Sequence, residues 1–115
     1  MNIALVKDLF FISKIKETAF QLNKNIDFIK NYSELNDFFD KINNNINLII
    51  IDLNFEEIKP LETIQKIKNN NLLKNIKIIA YCSHVQIELM NKAKEFGIEV
   101  MPRSLFTIKL KDILI

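Results

Sequence analysis

Apolar positions along the chain switch repeatedly between short unbroken runs and a helical spacing. Ile3–Val6 is a short apolar run closed by Lys7 and Asp8. Behind it, Ile12, Ile15, Ala19 and Leu22 recur three or four residues apart, the stripe of an amphipathic helix. Asp27–Lys30 is short and fits a strand, and Ser33 is placed to cap a helix whose apolar face holds Leu35, Phe38, Phe39 and Ile42. Ile46–Ile51 is almost wholly apolar and β-branched, the signature of a strand buried on both faces of a parallel sheet. Pro60 suits the first turn of a helix carrying Leu61, Ile64 and Ile67. Ile76–Tyr81 repeats the buried-strand pattern. Gln86–Phe96 reads as a helix with Ile87, Leu89, Met90, Ala93 and Phe96 inward, stopped by Gly97, the sole glycine. Val100 and Met101 form a short last strand before Pro102, and Phe106–Leu114 a final helix.

Five strand–helix alternations with buried strands predict an α/β fold, a doubly wound (βα)5 parallel sheet, because parallel strands need crossover helices. Ile49, Ile51, Ile78 and Ala80 are expected in its interior. In such sheets ligands bind at the carboxyl ends of the strands, near the point where strand order reverses. That rule singles out Lys7–Asp8, Asp52–Asn54, Cys82–His84 and Pro102–Ser104.

Composition narrows the class. With 115 residues, 49% of them hydrophobic, residues 1–115 suffice for one domain with a packed core and are too few for two. The longest apolar run, Ile78–Cys82, is far shorter than the ~20 residues a membrane helix requires, so no membrane insertion is expected. The chain runs from Met1 directly into a strand, so no signal peptide is expected, and a lone cysteine suits a reducing, cytoplasmic setting. The net charge of +2 is dispersed and almost all lysine, with Arg103 the only arginine, which argues against nucleic acid as a partner. The Asn43–Asn45 and Asn69–Asn71 runs read as polar loops or helix ends. There is no glycine-rich phosphate loop, no Gly-x-Ser-x-Gly elbow and no Cys–His pair at zinc spacing, so the chain is not expected to be an enzyme.

The four strand ends carry a resemblance. An acid follows the first strand (Asp8), an Asp ends the third (Ile-Ile-Ile-Asp52), a small thiol or hydroxyl residue follows the fourth, and a basic residue follows the fifth. Over its whole length the chain resembles the response-regulator receiver domain, the CheY-like domain of bacterial two-component systems. Its ending, AYCSHV and then MPRSLF, is similar to degenerate stand-alone members. The resemblance implies a flavodoxin-like sheet in the order 2-1-3-4-5. It places Asp52 at the phospho-acceptor position and Asp8 at the second acid of the usual Asp pair. Asn54 stands where a backbone carbonyl joins a metal. Asp8 and Asp52 are then the candidate ligands of a weakly held Mg²⁺; otherwise no cofactor is expected.

Several positions depart from the family pattern. Lys7 replaces the first acid. The switch position falls on Cys82 or on Ser83, and the conserved-type lysine is replaced by Arg103 or displaced by Ser104. Magnesium needs near-octahedral oxygen ligands and neutralises charge during phosphoryl transfer. A Lys7 ammonium aimed inward would repel it and attract Asp52, whereas a Lys7 reaching for solvent would disturb nothing. Asp8 has a structural alternative as a helix cap, Cys82 as a buried apolar residue, His84 as a loop residue. Arg103 can pair with Asp52 or a phosphate, or form a surface salt bridge. Of Phe10 and Phe11, one ring is expected to be exposed, since Ile12 and Ile15 take the inward face. The expected function is a receiver-like signalling domain working through protein–protein contacts, with impaired or absent phosphorylation. Its partners would include a histidine kinase and a second copy held through the last strand and flanking helices. The alternatives are a working receiver phosphorylated on Asp52 and, less supported, a flavodoxin-like binder of a small ligand.

Overall fold

A computed structural model describes residues 1–42 and 45–115. Five strands form one parallel sheet in the order β2-β1-β3-β4-β5. They are β1 (Asn2–Leu5), β2 (Ile26–Ile29), β3 (Leu48–Asp52), β4 (Lys77–Cys82) and β5 (Glu99–Pro102). The helices between and after them are α1 (Leu9–Gln21), α2 (Tyr32–Asp40), α3 (Pro60–Lys68), α4 (Ile87–Lys94) and α5 (Arg103–Leu114), with a single 3-10 turn at Glu56–Ile58.

Strand alternation divides the core in two. Leu5, Ile49, Ile51, Ala80 and Cys82 face α2, α3 and α4, packing on Leu35, Ile64, Ile67 and Ala93. Ala4, Ile50, Ile79 and Tyr81 face the other way, onto Ile12, Ile15 and Ala19 of α1 and Phe106 and Leu110 of α5. Ile49, Ile51, Ile78 and Ala80 are buried, as parallel central strands require.

Three local expectations need correction. The α2 cap is Asn31, not Ser33: the Asn31 side chain accepts from Glu34 N at 2.8 Å, and Glu34 reaches back to accept from Lys30 N at 3.0 Å. These two bonds set the cap two residues before the expected one. Ile87 is 64% exposed rather than inward, because α4 begins there and only Ala93 of the helix is fully buried. The first turn of α5 begins at Arg103, ahead of Phe106, which brings the arginine to the end of β5. Of the asparagine runs, Asn43 and Asn44 lie outside the described residues. Gly97 has φ +77° just beyond α4, a left-handed position that only glycine adopts without strain.

Candidate functional site

β1 and β3 deliver two acids side by side. Val6 is the last buried residue after β1, so the chain turns up into α1 with Asp8 as its cap, accepting from Phe11 N at 3.1 Å. Asp52 ends β3 and is 7% exposed. Its Oδ1 accepts from Asn54 N at 2.9 Å, a tight turn that folds the following loop back over the strand end. The Asn54 side chain in turn accepts from the Arg103 guanidinium at 2.8 Å. A cleft of about 370 Å³ opens above these groups, lined by Lys7, Asp8, Asp52, Asn54, Phe55, Glu56, Glu57 and Arg103.

Burial pushes the Asp52 carboxyl above its ordinary value, with the Asn54 amide and the Arg103 guanidinium pulling the other way and the Asp8 charge adding to the rise. Arg103 therefore acts on Asp52 through its field. Its hydrogen bond goes to Asn54, and among the described residues it makes no ion pair.

Lys7 is turned outward. Its side chain is 65% exposed and its ammonium lies 3.4 Å from Glu57 Oε1. The other oxygen of Glu57 accepts from Tyr32 N at 2.8 Å, so one carboxylate joins the loops after β1, β2 and β3. That contact and the exposed Lys7–Glu57 pair hold Glu57 below its ordinary carboxyl value.

The structure thus brings Lys7, Asp8, Asp52, Asn54 and Arg103 together at the strand ends. Cys82, Ser83 and Ser104 do not line the cleft. Cys82 is fully buried and faces the core on the opposite side of the sheet, where desolvation pushes its thiol up and away from the reactive thiolate. Ser83 serves its own loop, its amide donating to Gln86 and its hydroxyl accepting from Val85 N. Ser104 is exposed on α5, and His84 is exposed in the β4–α4 loop.

The donor set meets a divalent ion only at the minimum. Magnesium is held by one or two carboxylates completed by water and phosphate. Asp8 and Asp52 supply two, each with one oxygen already accepting a backbone N–H, and a guanidinium shares the cleft. Asn54 O accepts from Glu56 N at 3.0 Å. Among the described residues no three His, Cys, Asp or Glu side chains meet around one point.

Two contributors escape the sequence reading. Glu57 owes its role to the path of a loop, which no periodicity encodes. Tyr81 carried a signal, a hydroxyl inside an otherwise apolar strand. It is the register partner of Asp52 on the neighbouring strand. Its ring stacks on Phe106 at 4.4 Å and lies 4.9 Å from Phe11, and its buried hydroxyl has no protein partner.

No family model matches the chain, and no curated protein matches its sequence. Solved structures do match. The signal receiver domain of a two-component histidine kinase from Clostridium thermocellum aligns with a TM-score of 0.79 and 22% identity, covering 96% of this chain and 90% of that one. The receiver domain of a DNA-binding response regulator from Colwellia psychrerythraea gives 0.78 and 14%, covering 96% and 94%. A response regulator receiver domain from Rhodospirillum rubrum gives 0.75 and 14%, covering 96% and 88%. This is the receiver fold. Identities this low speak for the fold alone. In this fold Asp52 closes the central strand β3. No helix of the described residues is long and apolar enough to cross a membrane.

Proposed function

We propose that this chain is a receiver-like signalling module, with Asp52 at the phospho-acceptor position and its phosphoryl chemistry impaired, acting through contacts with protein partners. The observation that carries the reading is the charge at the strand ends. Asp8 and Asp52 stand together, Lys7 stands where the resemblance implies the first acid and turns to Glu57, and the cation beside the two carboxylates is an arginine bound to Asn54. Phosphoryl transfer depends on positioning and on charge stabilisation, so a two-carboxylate set with a neighbouring guanidinium should hold magnesium weakly and transfer slowly. A histidine kinase is the partner class this chemistry would suit. A second copy is a further candidate on the last-strand side, where Ile87, Leu105 and Ile108 are exposed.

Magnesium titration followed on the Asn54 backbone amide by NMR tests the reading. The expected result is weak binding, with a Kd above about 1 mM, that disappears in Asp52→Asn. Tight, saturable binding would overturn the impaired site, and binding indifferent to Asp52→Asn would remove Asp52 from it.

A further inference from the structure

Among the described residues, Tyr81 is the one fully buried hydroxyl at this end of the sheet that the proposed chemistry does not use. β4 alternation points it to the α1–α5 side, with Ile79. Pairing of β3 with β4 sets it directly beside Asp52. Its ring is fixed by Phe106 at 4.4 Å and Phe11 at 4.9 Å, so the hydroxyl cannot swing to solvent without breaking two aromatic contacts. The hydroxyl is sealed from the surface and meets no protein hydrogen-bond partner. Burial above all, and then the Asp52 and Asp8 charges, push it above its ordinary value and keep it a neutral donor. Asp52 uses Oδ1 for the Asn54 amide, and among the described residues no donor reaches Oδ2.

A buried hydroxyl left unmade is costly, and one water with two or more polar partners satisfies such a group. We propose that Tyr81 is a positioning residue for Asp52, its hydroxyl donating to a buried water that donates in turn to Asp52 Oδ2. The carboxylate is then held from two sides, by the Asn54 amide on Oδ1 and by the Tyr81 relay on Oδ2. The inference rests on Asp52 being the working carboxylate of the proposed function.

The test is a double-mutant cycle in thermal unfolding, with Tyr81→Phe, Asp52→Ala and the double variant. Removing only the hydroxyl keeps the ring packing, so the variant folds. Tyr81→Phe should lower Tm by about 4 °C in the native chain and by much less when Asp52 is already alanine. It should also move the ¹³C carboxyl resonance of Asp52 while leaving that of the remote Asp112 in place. A Tm that rises in Tyr81→Phe, an equal shift in both backgrounds, or an unmoved Asp52 resonance would each overturn the relay. Neither readout uses a phosphodonor. A chain that is not phosphorylated leaves the coupling intact, and a lost coupling leaves phosphorylation of Asp52 to be judged separately.

Discussion

Asp52 carries conflicting demands in one side chain. It ends a strand buried on both faces, so its charge is desolvated, yet one amide and one guanidinium favour that charge. Desolvation prevails and the carboxyl rises above 3.8. A raised carboxyl stabilises the fold fully below the unfolded value, and that contribution is lost as pH rises through the folded value. Charged Asp52 therefore costs stability at neutral pH. Asp52→Asn keeps the acceptor for Asn54 and removes the charge. Its Tm in metal-free buffer should exceed the native value at pH 7, and the advantage should vanish as the pH falls below 3.8. Equal melting curves across that range would contradict the burial. Lys7 behaves oppositely. An exposed pair screened by water contributes little, so Lys7→Ala should shift Tm by no more than a few degrees. Tyr32 N keeps its Glu57 acceptor in that variant. The sequence left Lys7 between two readings because neighbouring residues do not say which way a long side chain turns. The loop that presents Glu57 decides it.

The elements were legible wherever the pattern was strong. β3 and β4 stand out as apolar runs, and their burial on both faces follows from covering a parallel sheet with helices. The edges of elements were less legible, since caps depend on one hydrogen bond. α2 starts at Tyr32 because the Asn31 side chain caps it by accepting from Glu34 N, and Ser33 lies already inside the helix. Asn31→Ala should lower Tm by about 4–6 °C, the effect of ~1 kcal/mol, whereas Ser33→Ala should leave it nearly unchanged. The reverse ranking would restore Ser33 as the cap. At β4 the same alternation that buries Cys82 on one face sends Tyr81 to the other. A reading that searches strand ends for small hydroxyl or thiol residues selects Cys82. It passes over the tyrosine that lies beside Asp52.

At the scale of the whole molecule, strand order explains why residues far apart in sequence share one cleft. Placing β1 between β2 and β3 brings Asp8 beside Asp52, and the β4–β5 edge returns Arg103 to Asn54. The parallel sheet was legible because each parallel pair demands a crossover, whereas its strand order was implied only by the resemblance. The charge balance of the cleft was legible only in part. Residue types fix which charges are available, and side-chain direction fixes which of them meet: Arg103 bonds Asn54 while Lys7 turns to Glu57. The result is a receiver fold with two carboxylates, a guanidinium and an outward lysine at its strand ends. The most direct test is intact-mass spectrometry of the native chain after incubation with acetyl phosphate and magnesium. No stable gain of one phosphoryl group is expected. A stoichiometric gain that Asp52→Asn abolishes would contradict it and make Asp52 a working phospho-acceptor.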